Sequence, residues 1–185
     1  MKNLLLFVLC FIAAINVNAQ KNNIVFNAVP INYKTYCNTK FQYCLKYPES
    51  FTTQELSTTA EEQLFEAVDG TTLEISAKEN EENQSVKKAY AAEMKKFETV
   101  AKDVPEVKYE VLDKDWYIII TKDEIEVVAK MVVLRNNLWK TLLITMPKNR
   151  ETYYKDKVDE IFKTFNPDSA TGLAKSENSI KTKKD

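Results

Sequence analysis

The chain has 185 residues, with 26 basic against 27 acidic side chains, a net charge of −1, no histidine and two glycines, Gly70 and Gly172. Such near balance argues against nucleic acid as a partner, since that binding needs a concentrated positive field. Without histidine there is no Ser-His or Cys-His dyad, no imidazole metal site and no general base poised near neutral pH. Without clustered glycines there is no phosphate-cradling loop.

Residues 1–19 read as a signal peptide. Lys2 supplies the positive start, residues 4–15 an apolar run, and Val17-Asn18-Ala19 a small-residue cleavage site ahead of Gln20. The apolar run is about a dozen residues, where a membrane-spanning helix needs ~20. Leu9 before Cys10 does not fit a lipoprotein signal. Export would remove Cys10 and leave Cys37 and Cys44. The remainder is the size of one domain, which buries roughly 70% of its unfolded surface and needs no metal or dense disulfide framework.

Residues 20–30 form an irregular lead-in ending at Pro30. Ile31, Tyr33 and Thr35 suggest a first strand. Phe41, Tyr43, Leu45 and Tyr47 then alternate with Lys40, Gln42, Cys44 and Lys46, the period of a half-buried strand. After Pro48 a polar stretch covers 52–61, and 63–68 and 71–77 form a hairpin around Asp69-Gly70. Val86, Tyr90, Met94, Phe97, Ala101 and Val104 recur every three or four residues, predicting a helix of about five turns closed by Pro105. Four strands follow at 107–112, 116–121, 125–134 and 138–146, joined by turns short enough for antiparallel hairpins. A last helix runs from Pro147 to about Phe165, striped by Tyr154, Val158 and Ile161. The later strands are apolar on both faces, so they need cover on both. The expectation is an α+β fold: an antiparallel sheet of about six to eight strands with helices on both faces, in a single domain at 31–166. Residues 167–185, with few large apolar groups, read as a disordered tail.

Three segments resemble the PsbP-like family, the fold group of the extrinsic photosystem protein PsbP, the Ran-binding Mog-type proteins and the bacterial DcrB-type proteins. They are the strand Phe41-Gln42-Tyr43-Cys44-Leu45-Lys46-Tyr47-Pro48 running into Pro48-Glu49-Ser50-Phe51; Asp69-Gly70-Thr71-Thr72-Leu73-Glu74-Ile75 ahead of the helix entry Ser85-Val86-Lys87-Lys88-Ala89-Tyr90; and the strand from Leu138 to Pro147 followed by Ile161-Phe162-Lys163-Thr164-Phe165. The resemblance spans about residues 40–166 and implies the fold. It brings no shared catalytic residues, and the group's binding roles are unrelated to one another. Unlike many relatives, the chain lacks glycines in its strand turns.

Few residues stand out as sites. Cys37 and Cys44 flank a turn in an exported chain, which favours a disulfide stapling the hairpin; free thiols are the other reading, and a redox pair would more often be C-x-x-C. Tyr33, Tyr36, Phe41, Tyr43 and Tyr47 read as a packing face, with a stacking platform for a ligand as the alternative. Trp116 and Trp139 read as core. Glu79, Glu81 and Glu82 lack the glycine and ligand spacing of a calcium loop and read as loop solvation. Asp168-Ser169-Ala170 resembles the O-glycosylation pattern of exported Bacteroidetes proteins, with Ser169 the acceptor, and the Lys- and Asn-rich, glycine-poor composition suits that phylum. No catalytic, metal-ligating or cofactor-binding residue is assigned.

The expected function is that of an exported, non-enzymatic domain that binds another protein in the cell envelope, periplasmic or extracellular, through exposed loops at 52–61 and 79–84. The alternatives are a small-ligand carrier with a pocket near the first strands and a hydrolase built on carboxylates alone.

Overall fold

The computed structural model describes residues 31–54, 61–98 and 104–168, all within the unit Ile31–Asp185. The expected signal peptide, the lead-in and Ser169 lie outside the described residues. Nine strands and two helices are seen: β1 Tyr33–Asn38, β2 Tyr43–Pro48, β3 Phe51–Gln54, β4 Glu62–Ala67, β5 Thr72–Glu79, α1 Val86–Met94, β6 Glu106–Leu112, β7 Trp116–Lys122, β8 Glu126–Arg135, β9 Leu138–Pro147 and α2 Glu151–Thr164. A short 3-10 turn, Lys148–Arg150, leads into α2.

Seven strands form one antiparallel sheet in the order β3-β4-β5-β9-β8-β7-β6, and β1 and β2 form a separate antiparallel pair. The order follows from the connections. The segment containing α1 joins β5 to the far edge at β6, and three hairpins bring the chain back until β9 pairs with β5. At the β8–β9 turn Asn136 and Asn137 both have positive φ, 53° and 60°. Asparagine tolerates that region, so this hairpin turns without glycine. Gly70, at φ +84°, serves the β4–β5 turn.

Alternation divides the sheet into two faces. One carries Leu73, Ile75, Ala129, Leu142, Ile144 and Met146, covered by Tyr154, Val158 and Ile161 of α2 and by Tyr43, Leu45 and Tyr47 of β2. The β1–β2 pair is tied to the end of α2: Cys44 and Asn166 exchange backbone hydrogen bonds of 3.0 and 2.8 Å, and the Lys46 amide donates to Thr164 Oγ1 at 3.2 Å. The opposite face carries Tyr117, Ile119, Val132 and Trp139 beneath Val86 of α1.

Three expectations change. The polar stretch at 52–61 begins as the edge strand β3, paired with β4; four residues with three exposed ones show no periodicity to read. The first helix ends at Met94, where Lys96 and Phe97 bond back three residues rather than four and tighten the chain into turns. Phe97 still packs on the sheet, while Ala101 lies outside the described residues. Finally, Pro167 and Asp168, expected in the tail, form a turn against the domain. The Pro167 carbonyl accepts from Lys140 Nζ, and the Asp168 amide donates to Asn166 Oδ1 at 3.0 Å.

Candidate binding cleft

The side chains of α1 and of the turn that follows it fall into two stripes. Val86, Tyr90, Met94 and Phe97 pack on the sheet, as their spacing predicts. Ala89, Ala92, Glu93 and Lys96 form the second stripe, at the i, i+3, i+4 and i+7 positions that share a helix face. The two alanines have too little bulk to fill the space between helix and sheet, which leaves a cleft of about 250 Å³. The sheet lines it with Lys78, Tyr117, Lys130, Val132, Trp139 and Thr141. Register explains this set. Lys78 lies opposite Trp139, and Val132 opposite both Tyr117 and Thr141, so all project on one face.

Among the described residues, Glu93 is the only carboxylate lining this cleft. Its Oε1 accepts from Lys130 Nζ at 2.9 Å and its Oε2 from Lys96 Nζ at 3.0 Å. Burial pushes its pKa up, but the two lysines outweigh that and hold it below the usual carboxylate range. Tyr117 has its hydroxyl pKa raised by burial and by the Glu93 charge. Its ring meets Tyr90 edge-on at 5.7 Å, and Tyr90 donates to Glu110 at 2.8 Å. A second cleft, of about 460 Å³ near Ile125, also has three lysines on its wall. There Lys108, Lys122 and Lys148 each hold a carboxylate, from Glu106, Glu151 and Glu124. Of these two clefts, among the described residues, the one under α1 leaves cations in excess.

The loop at 79–84 forms the rim, with Gln84 on the cleft wall. Asn80 is 5% exposed. Its side chain accepts from the Gln84 amide at 2.9 Å and donates to the Gln84 carbonyl at 3.0 Å, while its amide donates to Asn137 O at 2.9 Å. Asn83 sits at φ 48°. Ser85 caps α1 by accepting from the Lys88 amide at 3.3 Å. The loop is thus preformed, with Glu81 and Glu82 exposed. Of the other expected loop, residues 55–60 lie outside the described residues.

The remaining candidates are structural. Cys37 and Cys44 face each other in the β1–β2 register and are joined by a disulfide. The aromatic stretch is a packing face: Tyr47 and Tyr36 lie 4.4 and 5.3 Å from Phe65, and Tyr43 lies 6.2 Å from Phe165. Trp139 is buried, and Trp116 packs partly buried on the opposite face. Among the described residues no three His, Cys, Asp or Glu side chains gather to hold a metal ion, and no helix is long and apolar enough to cross a membrane.

Two polar groupings escaped the sequence reading. Lys140 is fully buried and donates to the carbonyls of Gln42, at 3.2 Å, and Pro167. Burial lowers its pKa, opposed by Asp168. Asp69 accepts from the Thr71 amide, the Tyr154 hydroxyl and Arg150 Nε, at 3.1, 3.1 and 3.0 Å. Burial raises its pKa, but these partners prevail and keep it low; Tyr154, buried and beside it, is pushed up to about 12. For Lys140, a lysine in the middle of an otherwise apolar strand, Leu138 to Pro147, was the available signal.

No protein-family model matches the chain, and no curated protein does. Solved structures do. The solution structure of cyanobacterial PsbP (CyanoP) from Synechocystis sp. PCC 6803 superposes with a TM-score of 0.57 at 14% identity, covering 76% of this chain and 95% of that one. A crystal structure from Bacteroides thetaiotaomicron gives 0.44 at 16% identity, over 72% of this chain and 47% of that one. LpqN of Mycobacterium tuberculosis, described as involved in cell envelope biogenesis, gives 0.44 at 10% identity, over 76% and 86%. At these identities the likeness concerns architecture. The sheet order, the two covered faces and the match to CyanoP together make this a PsbP-like fold.

Proposed function

We propose that the chain is an exported, non-enzymatic domain of the cell envelope that acts by binding another protein. The observation carrying this reading is the preformed loop at 79–84, fixed by Asn80 over an open cleft. A loop already held in shape loses little conformational entropy on association, and a rigid sheet with exposed loops is the usual platform for recognition. The Cys37–Cys44 bond supports export, because disulfides persist in oxidising compartments. The likeness to CyanoP supports the scaffold alone.

The test is photo-crosslinking in the producing cell. A photoreactive residue replaces exposed Glu82 on the loop or, as a control, exposed Asp159 on α2. One dominant protein adduct from position 82, absent from position 159, is expected. No adduct, or the same adducts from both, would overturn the reading. Substrate turnover by the purified protein, abolished by one carboxylate substitution, would overturn its non-enzymatic part.

A further inference from the structure

We infer that the cleft under α1 is a binding site for a small organic oxyanion, a carboxylate or phosphate carried on an apolar body. Its hydrogen-bonding groups are unbalanced. Lys96 and Lys130 share the single carboxylate of Glu93, and each ammonium has three protons to donate. Lys78 has no acidic partner among the described residues, and neither the Tyr117 nor the Thr141 hydroxyl has a hydrogen-bond partner among them. The described wall therefore carries more donors than acceptors, with Gln84 and the two hydroxyls able to do both, so the complementary group carries negative charge and several lone pairs. Lysine meets such oxyanions as a point charge, without the bidentate geometry of arginine.

Size and lining fix the rest. A cleft of about 250 Å³ is smaller than the roughly 300–1,000 Å³ of drug-sized sites, so it suits about one ring bearing one acidic group. Ala89, Val132 and Trp139 give it an apolar side. This site does not depend on the proposed protein partner, although the oxyanion could be a free acid or an acidic group on that partner.

Benzoate and phenyl phosphate are suitable probes, with benzamide as the uncharged isostere of benzoate. The chain holds two tryptophans, one on each face of the sheet, so NMR of their indole N–H groups contains its own control. Titration should shift the Trp139 signal saturably and leave that of Trp116 in place; benzamide should do neither. Lys130→Gln should weaken benzoate binding by about fivefold, the scale of one partly exposed charge pair. Glu93→Gln, which removes the competing carboxylate, should tighten it by a similar factor. Opposite signs from two partners of one ion pair separate ligand binding from mere loosening of α1, which would weaken both. No saturable shift, equal binding of benzamide, or weakening by both variants would overturn the site. Repeating the position-82 crosslink with saturating benzoate tells the sources apart. Loss of the adduct assigns the oxyanion to the partner, and its retention assigns it to a free acid. The probe titration stands even where no adduct forms.

Discussion

The two faces of the central sheet are covered by different means. Among the described residues, one is sealed by α2 and the β1–β2 pair around a cluster of twenty buried residues, the other by α1 around a cluster of five. The first face is locked three further times: by the Cys37–Cys44 bond, by the Cys44–Asn166 pairing and by Lys140 reaching Gln42 and Pro167. On the second, two alanines leave a gap and lysines outnumber carboxylates. Gaps and unbalanced charge both cost stability, and a domain is stable by only ~5–15 kcal/mol. A fold can carry such a cleft on one face when the other holds the structure together.

The largest effect should come from cutting the dense face. Phe65, fully buried between Tyr36 and Tyr47, should lose about 3–5 kcal/mol on Phe65→Ala, the range for emptying an aromatic site in a packed core. Val86→Ala on the thin face should cost less than half as much. Urea unfolding of the two variants checks this, and equal losses would mean the faces share the load. Next comes the disulfide. Cys37→Ser with Cys44→Ser opens a loop of about eight residues, worth about 2–3 kcal/mol in the chain-entropy account. Melting should fall without loss of folding.

How much of this was legible follows from where each residue sits. The fold class and the two-sided cover were readable from period: Tyr43 and Tyr47 alternate on β2, α2 shows one apolar stripe, and β9 is apolar on both faces, which puts Trp139 in the core of the thin face. The pairing of β5 with β9 was hidden, since hairpin rules see only neighbours in sequence. The cleft was hidden for a different reason. It forms from a helix stripe of alanine and charge that looks like an ordinary solvated side, and from Lys78 and Lys130, 52 residues apart in sequence, brought together only by register. Asn80 likewise reads as a loop residue until its contact with Asn137 is seen.

A cut after Asn166 tests the third lock, with the new C-terminus amidated, here and in the control, so that no carboxylate replaces the lost oxygen. It removes the Pro167 carbonyl and leaves the buried Lys140 ammonium with Gln42 alone, so it should cost about 1–3 kcal/mol, the penalty for an unmatched buried donor. A cut after Asp168 keeps that bond and is the matched control. The difference in melting between the two truncations is the measurement.

On the thin face, Glu93→Gln should cost about 1 kcal/mol at neutral pH, because its ion pairs are partly solvated. The loss should be pH-dependent with a definite sign. Glu93 has a folded-state pKa below its unfolded value of 4.5. Its contribution is therefore complete above that value and disappears as pH falls through the lower, folded pKa. The stability curves of parent and variant should converge in acid; a constant gap would place the effect in packing rather than charge.

The smallest effect is expected from filling the cleft itself. Ala89 sits half-buried on the second stripe of α1, over Trp139 and Tyr117. Leucine matches alanine closely in helix propensity, and its extra carbons enter space that is already open, so Ala89→Leu needs no repacking of the sheet. Over-packing usually costs about 1–3 kcal/mol because there is nowhere to go; here there is, so melting should stay within about 1 kcal/mol of the parent, on either side. The same substitution occupies the apolar side of the proposed oxyanion site and should abolish the saturable Trp139 shift with benzoate. A stable protein that no longer binds would separate the two faces by role: the α2 side supplies the stability, and the α1 side is free to change. A variant that loses several kcal/mol instead would mean the gap under α1 is too narrow for three carbons, and the thin face would be as constrained as the dense one.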